Sequence, residues 1–333
     1  MFRVEINWDN LRYNYRLLKS EVGDYEIIPV VKANAYGHGT REATLVLKEE
    51  GARLFVISTI DDFQRVKDVR DVDFLMLYPD YTDSDQINYL ASFPNLIFSL
   101  YDPYAVDALP EGARVHINVD TGMNRAGVKP WDFPEVYERA RRKLKVEGAF
   151  SHFPIARDPE FSRRQIETFD ELTRDKGLFR HINNSEGLMR YGTVFDGARI
   201  GILLYGYGRE DVKPVKSVFS KIVQVKRIRK GESVSYDRYF IAPEDGFLAV
   251  VPVGYAHGVR RVEGYRVFSE GRWYPVAGRI TMDAIMLYSR EDTFRVGQKV
   301  ELLGENNRAD EIAKVWGTLT YEVLVSLGTH PVW

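Results

Sequence analysis

The sequence predicts an α/β fold: a (β/α)8, TIM-type barrel over residues 1–212, followed by an all-β domain over residues 213–333. Two observations predict the barrel. Short apolar runs alternate with amphipathic stretches from about residue 8 to residue 205. The runs number eight, each expected to lead into a helix, at about 25 residues per unit. A doubly wound open sheet fits the same alternation but uses fewer strands for this length. The third observation concerns the rest of the chain, where short β-rich segments are separated by Gly or Asp turns.

In order, WDNLRYNYRLLKSEV (8–22) carries apolar residues at three- and four-residue spacing and predicts a helix. The strands follow as EIIPVV (26–31), RLFVIS (53–58), FLMLY (74–78), LIFSL (96–100), RVHINVD (114–120), VEGAFSH (146–152), RHINNS (180–185) and ARIGILLYG (198–206). Between them STIDDFQRVKDV (58–69) reads as a helix opened by a Ser or Thr cap, and SRRQIETFDELTRDKG (162–177) as another. Beyond residue 212, VFSKIVQVKRI, FLAVVPVGY, YRVFSEGRWYPVAG and KVELLG read as strands of a meander or small barrel. Residues 2–7 are expected to pair with that β domain.

Composition narrows the function. Among 333 residues, 46 Lys+Arg stand against 48 Asp+Glu for a net charge of −2, which leaves no footprint for nucleic acid or an anionic membrane. The chain has no cysteine, so disulfides, thiolate metal sites and a cysteine nucleophile are excluded. No apolar run reaches the roughly 18 residues of a membrane span, and MFRVEINWDN mixes charges where a signal peptide needs an apolar stretch. The expected compartment is the cytoplasm. No metal is implied.

Active groups in such a barrel sit at the C-terminal ends of the strands. Strand one leads into Lys32, where desolvation behind IIPVV lowers the amine's pKa and makes it nucleophilic. Strand five leads into Asp120 and Arg125, strand six into His152, strand seven into Asn184 and Ser185, and strand eight carries Arg199 before Gly201. Ser185, the Gly201 and Ile202 N–H groups and the Tyr36 hydroxyl could hold a phosphate. A reactive lysine beside a phosphate cradle points to pyridoxal 5'-phosphate, held as a Schiff base. Taken singly, each group also fits a structural role: Tyr36 a core aromatic, His152 a satisfied strand-end histidine, Met282 core filler, and Arg279, Arg260 and Arg261 a solvated face.

The motifs VVKANAYGHG, VDTGMNRAG, SHF, HINNS, GARIGILLYG, GESVSYDRY, VPVGYAHG and GRITMDA together resemble the alanine racemase family, in the family's order and over nearly the whole chain. The resemblance implies a cytoplasmic homodimer with shared active sites that makes D-alanine for peptidoglycan precursors. Lys32 would carry the cofactor and act as base on one face of the substrate α-carbon, and Tyr236 of the second subunit on the other. Arg199 would face the pyridine nitrogen, with His152 and His181 tied into it, and Arg125 would lie beside the cofactor's phenolic oxygen and the substrate carboxylate. Tyr36, Ser185, Gly201 and Ile202 would contact phosphate. Met282, Tyr255 and Arg279 would border the substrate. A tyrosine base, with a reference pKa near 10, needs nearby positive charge, for which His152 and Arg199 are the candidates.

The chain departs from that pattern in three places. Asn118 stands where many members have a carbamylated lysine beside the arginine, so Arg125 needs another partner, the Asn118 amide or an anion. Thr329 falls where a pocket-lining tyrosine is usual, which predicts room for larger or basic substrates such as lysine or ornithine. SHFPIARDPE puts Arg157 and Asp158 near the substrate corridor. Two other functions compete: a non-catalytic PLP-binding barrel, which lacks a β domain, and a decarboxylase, which needs a cysteine and an acidic group where Arg199 stands.

Overall fold

The computed structural model describes residues 2–328. The chain divides into two compact units. One holds Leu11–Ala35 and Gly39–Val212; the other gathers the N-terminal stretch up to Asn10, Tyr36–His38 and the chain from Lys213 onward.

The first unit is the barrel. Its strands are Glu26–Pro29, Leu54–Ile57, Asp73–Met76, Leu96–Leu100, Arg114–Asn118, Lys145–Phe150, Phe179–Asn183 and Gly197–Ile200. All pair in parallel, the first beside the eighth and the rest in sequence around to the second. A bridge between Val30 and Val56, with Val31 N–H donating to the Val56 carbonyl at 2.9 Å, joins the first and second strands into a ring. Strands covered on both faces are near-continuously apolar. Leu96–Leu100, buried at every position, shows why these segments read as unbroken hydrophobic runs.

Several strands stop short of the runs read from the sequence. The first ends at Pro29 rather than residue 31, the fifth at Asn118 rather than 120, the sixth at Phe150 rather than 152 and the eighth at Ile200 rather than 206. The rim residues leave the ladder because local turns satisfy them, as where Leu204 N–H donates to the Gly201 carbonyl at 2.9 Å. For the same reason no helix follows the eighth strand. Helix Trp8–Val22 supplies the missing cover, burying Leu11, Tyr15 and Leu18, while Asn14 Nδ2 donates to the Leu204 carbonyl at 2.9 Å. The helix expected at 58–69 is only Ile60–Gln64, and neither Ser58 nor Thr59 caps it through a side chain. Asp62 instead folds back to accept the Ser58 N–H at 2.9 Å. The helix expected at 162–177 runs Pro159–Thr173, started by Pro159 and by Asp158, whose carboxylate accepts the Phe161 N–H at 3.0 Å.

The second unit is built on antiparallel sheets. Five strands lie in the order Arg3–Ile6, Lys216–Lys221, Lys299–Leu303, Arg266–Ser269 and Arg272–Pro275. Gln224–Ile228, Gly246–Val251 and Ile285–Ser289 form a second sheet, and Ser233–Val234 pairs with Phe240–Ile241. The N-terminal strand pairs with Lys216–Lys221, Ile6 opposite Lys216. Two helices, Ala309–Trp316 and Thr320–Ser326, accompany these sheets where only β structure was expected. ADEIAKVW explains the first: Ala309, Ile312, Ala313 and Trp316 recur at helical spacing and are buried. Among the described residues no helix is long and apolar enough to cross a membrane.

Candidate active site

Lys32 follows the fully buried Val31 and opens a left-handed turn over Lys32–Gly37, with φ between +50° and +55° at Ala33, Asn34, Ala35 and Tyr36. This hand costs roughly 1–2 kcal/mol per L-residue. Local bonds hold it: Ala35 N–H to the Val31 carbonyl at 2.9 Å, Gly39 N–H to the Asn34 carbonyl at 2.9 Å, and Thr40 Oγ1 to the Val31 carbonyl at 3.1 Å. Strain maintained this way concentrates where a side chain must be aimed. Burial, then the charges of Arg125 and Arg199, push the Lys32 pKa down, while Asp62 pulls weakly the other way.

Arg199 is buried on the eighth strand, with no carboxylate partner among the described residues. Its Nη1 lies 2.7 Å from His181 Nδ1, and its Nη2 donates to the Ser151 carbonyl at 2.5 Å and lies 3.1 Å from His152 Nδ1. A guanidinium only donates, so both Nδ1 atoms must be acceptors. His181 then carries its proton on Nε2, 3.1 Å from His116 Nδ1. Burial lowers the Arg199 pKa to about 9, with Arg125 adding to the shift, so it remains a cation at neutral pH. Burial and then Arg199 push His152 down to about 3 and His181 well below its ordinary range. His152 is therefore neutral and lends no positive charge to a tyrosine base, contrary to the expectation; Arg199 is the remaining candidate.

Arg125 is exposed on the loop after the fifth strand. Asp120 organises that loop, accepting the Gly122 N–H at 3.1 Å, the Asn124 N–H at 2.9 Å and Lys129 Nζ at 2.6 Å. Burial alone would raise the Asp120 pKa, but Lys129 and the two amides outweigh it and lower it. Asn118 Nδ2 donates to the Ala126 carbonyl at 3.2 Å. At the rim of the seventh and eighth strands, Ser185 begins helix Ser185–Tyr191, capped by Asn184, whose side chain accepts the Gly187 N–H at 2.8 Å. Ser185, Gly201 and Ile202 are buried, and their hydroxyl and two amides have no hydrogen-bond partner among the described residues. Asp158, expected near the corridor, is spent on its helix cap.

The other candidates belong to the second unit. Tyr36 is buried against Tyr321, ring centroids 5.7 Å apart, and burial raises its pKa, with Tyr321 adding to the shift. Tyr236 lies in a turn where Ser235, Asp237 and Arg238 all have positive φ, and 65% of its surface is exposed. Ser235 Oγ ties the turn to the Arg279 carbonyl at 2.6 Å, and the Arg279 guanidinium sits 3.7 Å from the Tyr239 ring centre. GYAHG and ITMDA meet directly. Tyr255 and Ala256 N–H groups donate to the Thr281 and Met282 carbonyls at 3.1 and 3.0 Å. Any side chain at Gly254 would overlap those two carbonyls. Tyr236, Tyr255, Arg279 and Met282 are thus one connected surface. Thr329 lies outside the described residues.

Sequence reasoning missed His116, Asp62 and the triangle of Thr121, Ser151 and Gln165. Thr121 Oγ1 lies 2.7 Å from Ser151 Oγ and accepts Gln165 Nε2 at 3.0 Å, and Gln165 also donates to the His152 carbonyl at 3.2 Å. The signal for His116 was available: it is the one imidazole set among Val115, Ile117 and Val119 in a strand with both faces covered.

The family model described as alanine racemase, N-terminal domain, matches residues 6–209, and the one described as alanine racemase, C-terminal domain, matches residues 215–331. The alanine racemase of Clostridium novyi (strain NT) is 33% identical, over 96% of this chain and 92% of that protein. Among solved structures, alanine racemase from Bacillus anthracis with bound L-Ala-P superposes with a TM-score of 0.89 at 28% identity, covering 98% of this chain and 92% of that one. Alanine racemase from Bartonella henselae with covalently bound pyridoxal phosphate superposes with a TM-score of 0.88 at 25% identity, covering 99% and 98%.

Proposed function

The chain belongs to the alanine racemase family, and we propose that it interconverts L- and D-alanine with pyridoxal 5'-phosphate, passing the α-proton between Lys32 and Tyr236 of the partner subunit. Lys32 carries the reading: an amine half-buried behind Val31, its backbone held left-handed, and its pKa lowered by burial and two guanidiniums. A lowered pKa raises the share of neutral amine, the form that attacks a carbonyl and accepts a proton.

The donor set on the barrel rim suits a phosphorylated pyridine aldehyde. Lys32, Arg125 and Arg199 crowd positive charge together, and the Ser185 hydroxyl and the Gly201 and Ile202 amides, without partners among the described residues, suit an anion with several acceptor oxygens. In this reading those three groups and Tyr36 hold the phosphate, Lys32 holds the aldehyde carbon and Arg199 donates to the ring nitrogen. When bound, the ring delocalises the electrons left behind as the α-proton departs. Arg199, cationic and fixed by His181, His152 and Ser151, would donate to the ring nitrogen without giving up its proton, which would keep that nitrogen largely unprotonated and restrain competing transamination. Arg125 orients the substrate carboxylate. Inversion needs a base on each side of the α-carbon; Lys32 serves one and Tyr236 of the partner subunit the other.

A homodimer with shared sites is part of this proposal. The exposure of Tyr236, Tyr239, Ile241, Tyr255 and Met282 on one unit supports it, because apolar side chains gathered at a surface mark an interface. We place the enzyme in the cytoplasm, supplying D-alanine for peptidoglycan precursors. Borohydride reduction of the holoenzyme should fix the cofactor on Lys32, as read by mass spectrometry, and Lys32→Ala should lower racemisation by at least about a thousandfold. Chiral chromatography over alanine, lysine and ornithine should show alanine turned over fastest. Preference for lysine or ornithine by kcat/KM would overturn the substrate, and label elsewhere than Lys32 the cofactor site.

A further inference from the structure

Lys216 is a fully buried lysine with no acidic partner among the described residues. It sits on strand Lys216–Lys221, opposite Ile6. Its Nζ has one bond, a 2.9 Å donation to the Leu324 carbonyl. That carbonyl lies in the last turn of helix Thr320–Ser326, where carbonyls lack partners along the chain. The amide that would have reached it in a longer helix, Gly328 N–H, turns away to the His257 carbonyl at 3.1 Å. Gly328, with φ of +88°, lies so close to the strands that a Cβ there would come within 2.9 Å of Val4 and 3.4 Å of Lys216 Cε.

These contacts run on without a break. The ammonium fixes the end of the helix; the helix end leads to Gly328 and so to His257; His257 belongs to the turn Tyr255–His257, whose backbone is bonded to Thr281 and Met282. The same helix carries Tyr321, packed on Tyr36. We propose that Lys216 is a positioning residue for substrate binding, holding the C-terminal helix so that Tyr255 and Met282 on one side and Tyr36 on the other are set in place. The proposal rests on the racemase reading for the roles of Tyr36, Tyr255 and Met282. A hydrophobic side chain would fill this site without cost, so burying an ammonium there needs a reason, and capping the helix provides one.

Burial alone lowers the Lys216 pKa to about 7. None of the charged or titratable groups on the elements packed around it, Arg3, Glu5, Lys299, Glu301, Tyr321, Glu322 and His257, adds to that shift. An unfolded lysine titrates near 10.4. Between about pH 7 and 10 the unfolded chain therefore binds the extra proton, and this site's contribution to stability rises with pH.

The test compares the holoenzyme with its Lys216→Met and Lys216→Gln variants, measuring alanine racemisation and thermal melting at pH 6 and pH 9. Lys216→Met should raise KM for alanine about fivefold with kcat within twofold, and Lys216→Gln, which keeps a donor, should recover part of that loss. The melting temperature of Lys216→Met relative to wild type should be higher at pH 6 than at pH 9. Unchanged KM in Lys216→Met would overturn the proposal, as would failure of both variants to fold, which would make Lys216 a folding residue only. Wild-type protein inactive on alanine would instead defeat the racemase reading, and the melting comparison would still report whether Lys216 bears the buried charge.

Discussion

In the barrel unit the charged groups are enclosed: Arg199 retains 6% of its surface exposed and His181 none. In the second unit the proposed substrate-side groups stand open, Tyr236 at 65%, Met282 at 53% and Tyr255 at 47%. The difference shows two ways of preparing a site. A guanidinium held by imidazole and carbonyl acceptors has its orientation and protonation fixed before any ligand arrives. A phenol on a turn with three positive-φ residues, tied to the Arg279 carbonyl by Ser235 Oγ, stands largely exposed. The contrast fits the proposed division of labour, in which the barrel would supply cofactor chemistry and the second unit would serve another copy of the chain.

Apart from the loss of a base itself, the largest effect should come from the enclosed side. Arg199→Lys keeps the charge but loses the fork that reaches His181, Ser151 and His152 together, and kcat should fall by at least about tenfold with more transamination, measured as pyruvate release. A loss under twofold would show that the enclosure is structural. Acid should act on the same region. His116 and His152 are held down to about 4 and about 3, chiefly by burial, against about 6.5 unfolded. Below pH 6.5 the unfolded chain takes up protons that the native imidazoles refuse, so stability is present above that pH and falls as pH drops toward 4. Melting curves of His116→Gln should show a shallower decline over that window than wild type; parallel declines would remove His116 from the account.

Much of this contrast was legible in the sequence, and the rest was hidden for physical reasons. Eight apolar runs announce eight covered strands because burial on both faces leaves few polar positions to blur them. Lys32 and Arg199 stood out as charges at the ends of such runs. The left-handed turn after Lys32 carried no signal, since Ala33, Asn34 and Ala35 read as helix formers or loop residues until tertiary bonds set their hand. The first of the two C-terminal helices was legible in ADEIAKVW but masked by the β-rich texture around it. Lys216 was invisible because a lysine in PVKSVF reads as an outward strand position, and only the fold shows it inside.

A smaller effect sharpens the boundary of the site. Asp158→Ala should remove a helix cap worth about 1 kcal/mol, lowering the melting temperature while leaving kcat/KM for alanine unchanged. A shift in substrate preference would place Asp158 back beside the corridor.

In the proposed enzyme each site draws its two bases from different chains, and mixing inactive subunits tests this. Lys32→Ala and Tyr236→Phe homodimers should each be nearly inactive. Unfolded together and refolded with cofactor, they should form hybrids with one intact site of two, restoring about a quarter of wild-type activity in a statistical mixture. A mixture no more active than its parents, with hybrid dimers demonstrated by native mass spectrometry, would contradict the claim.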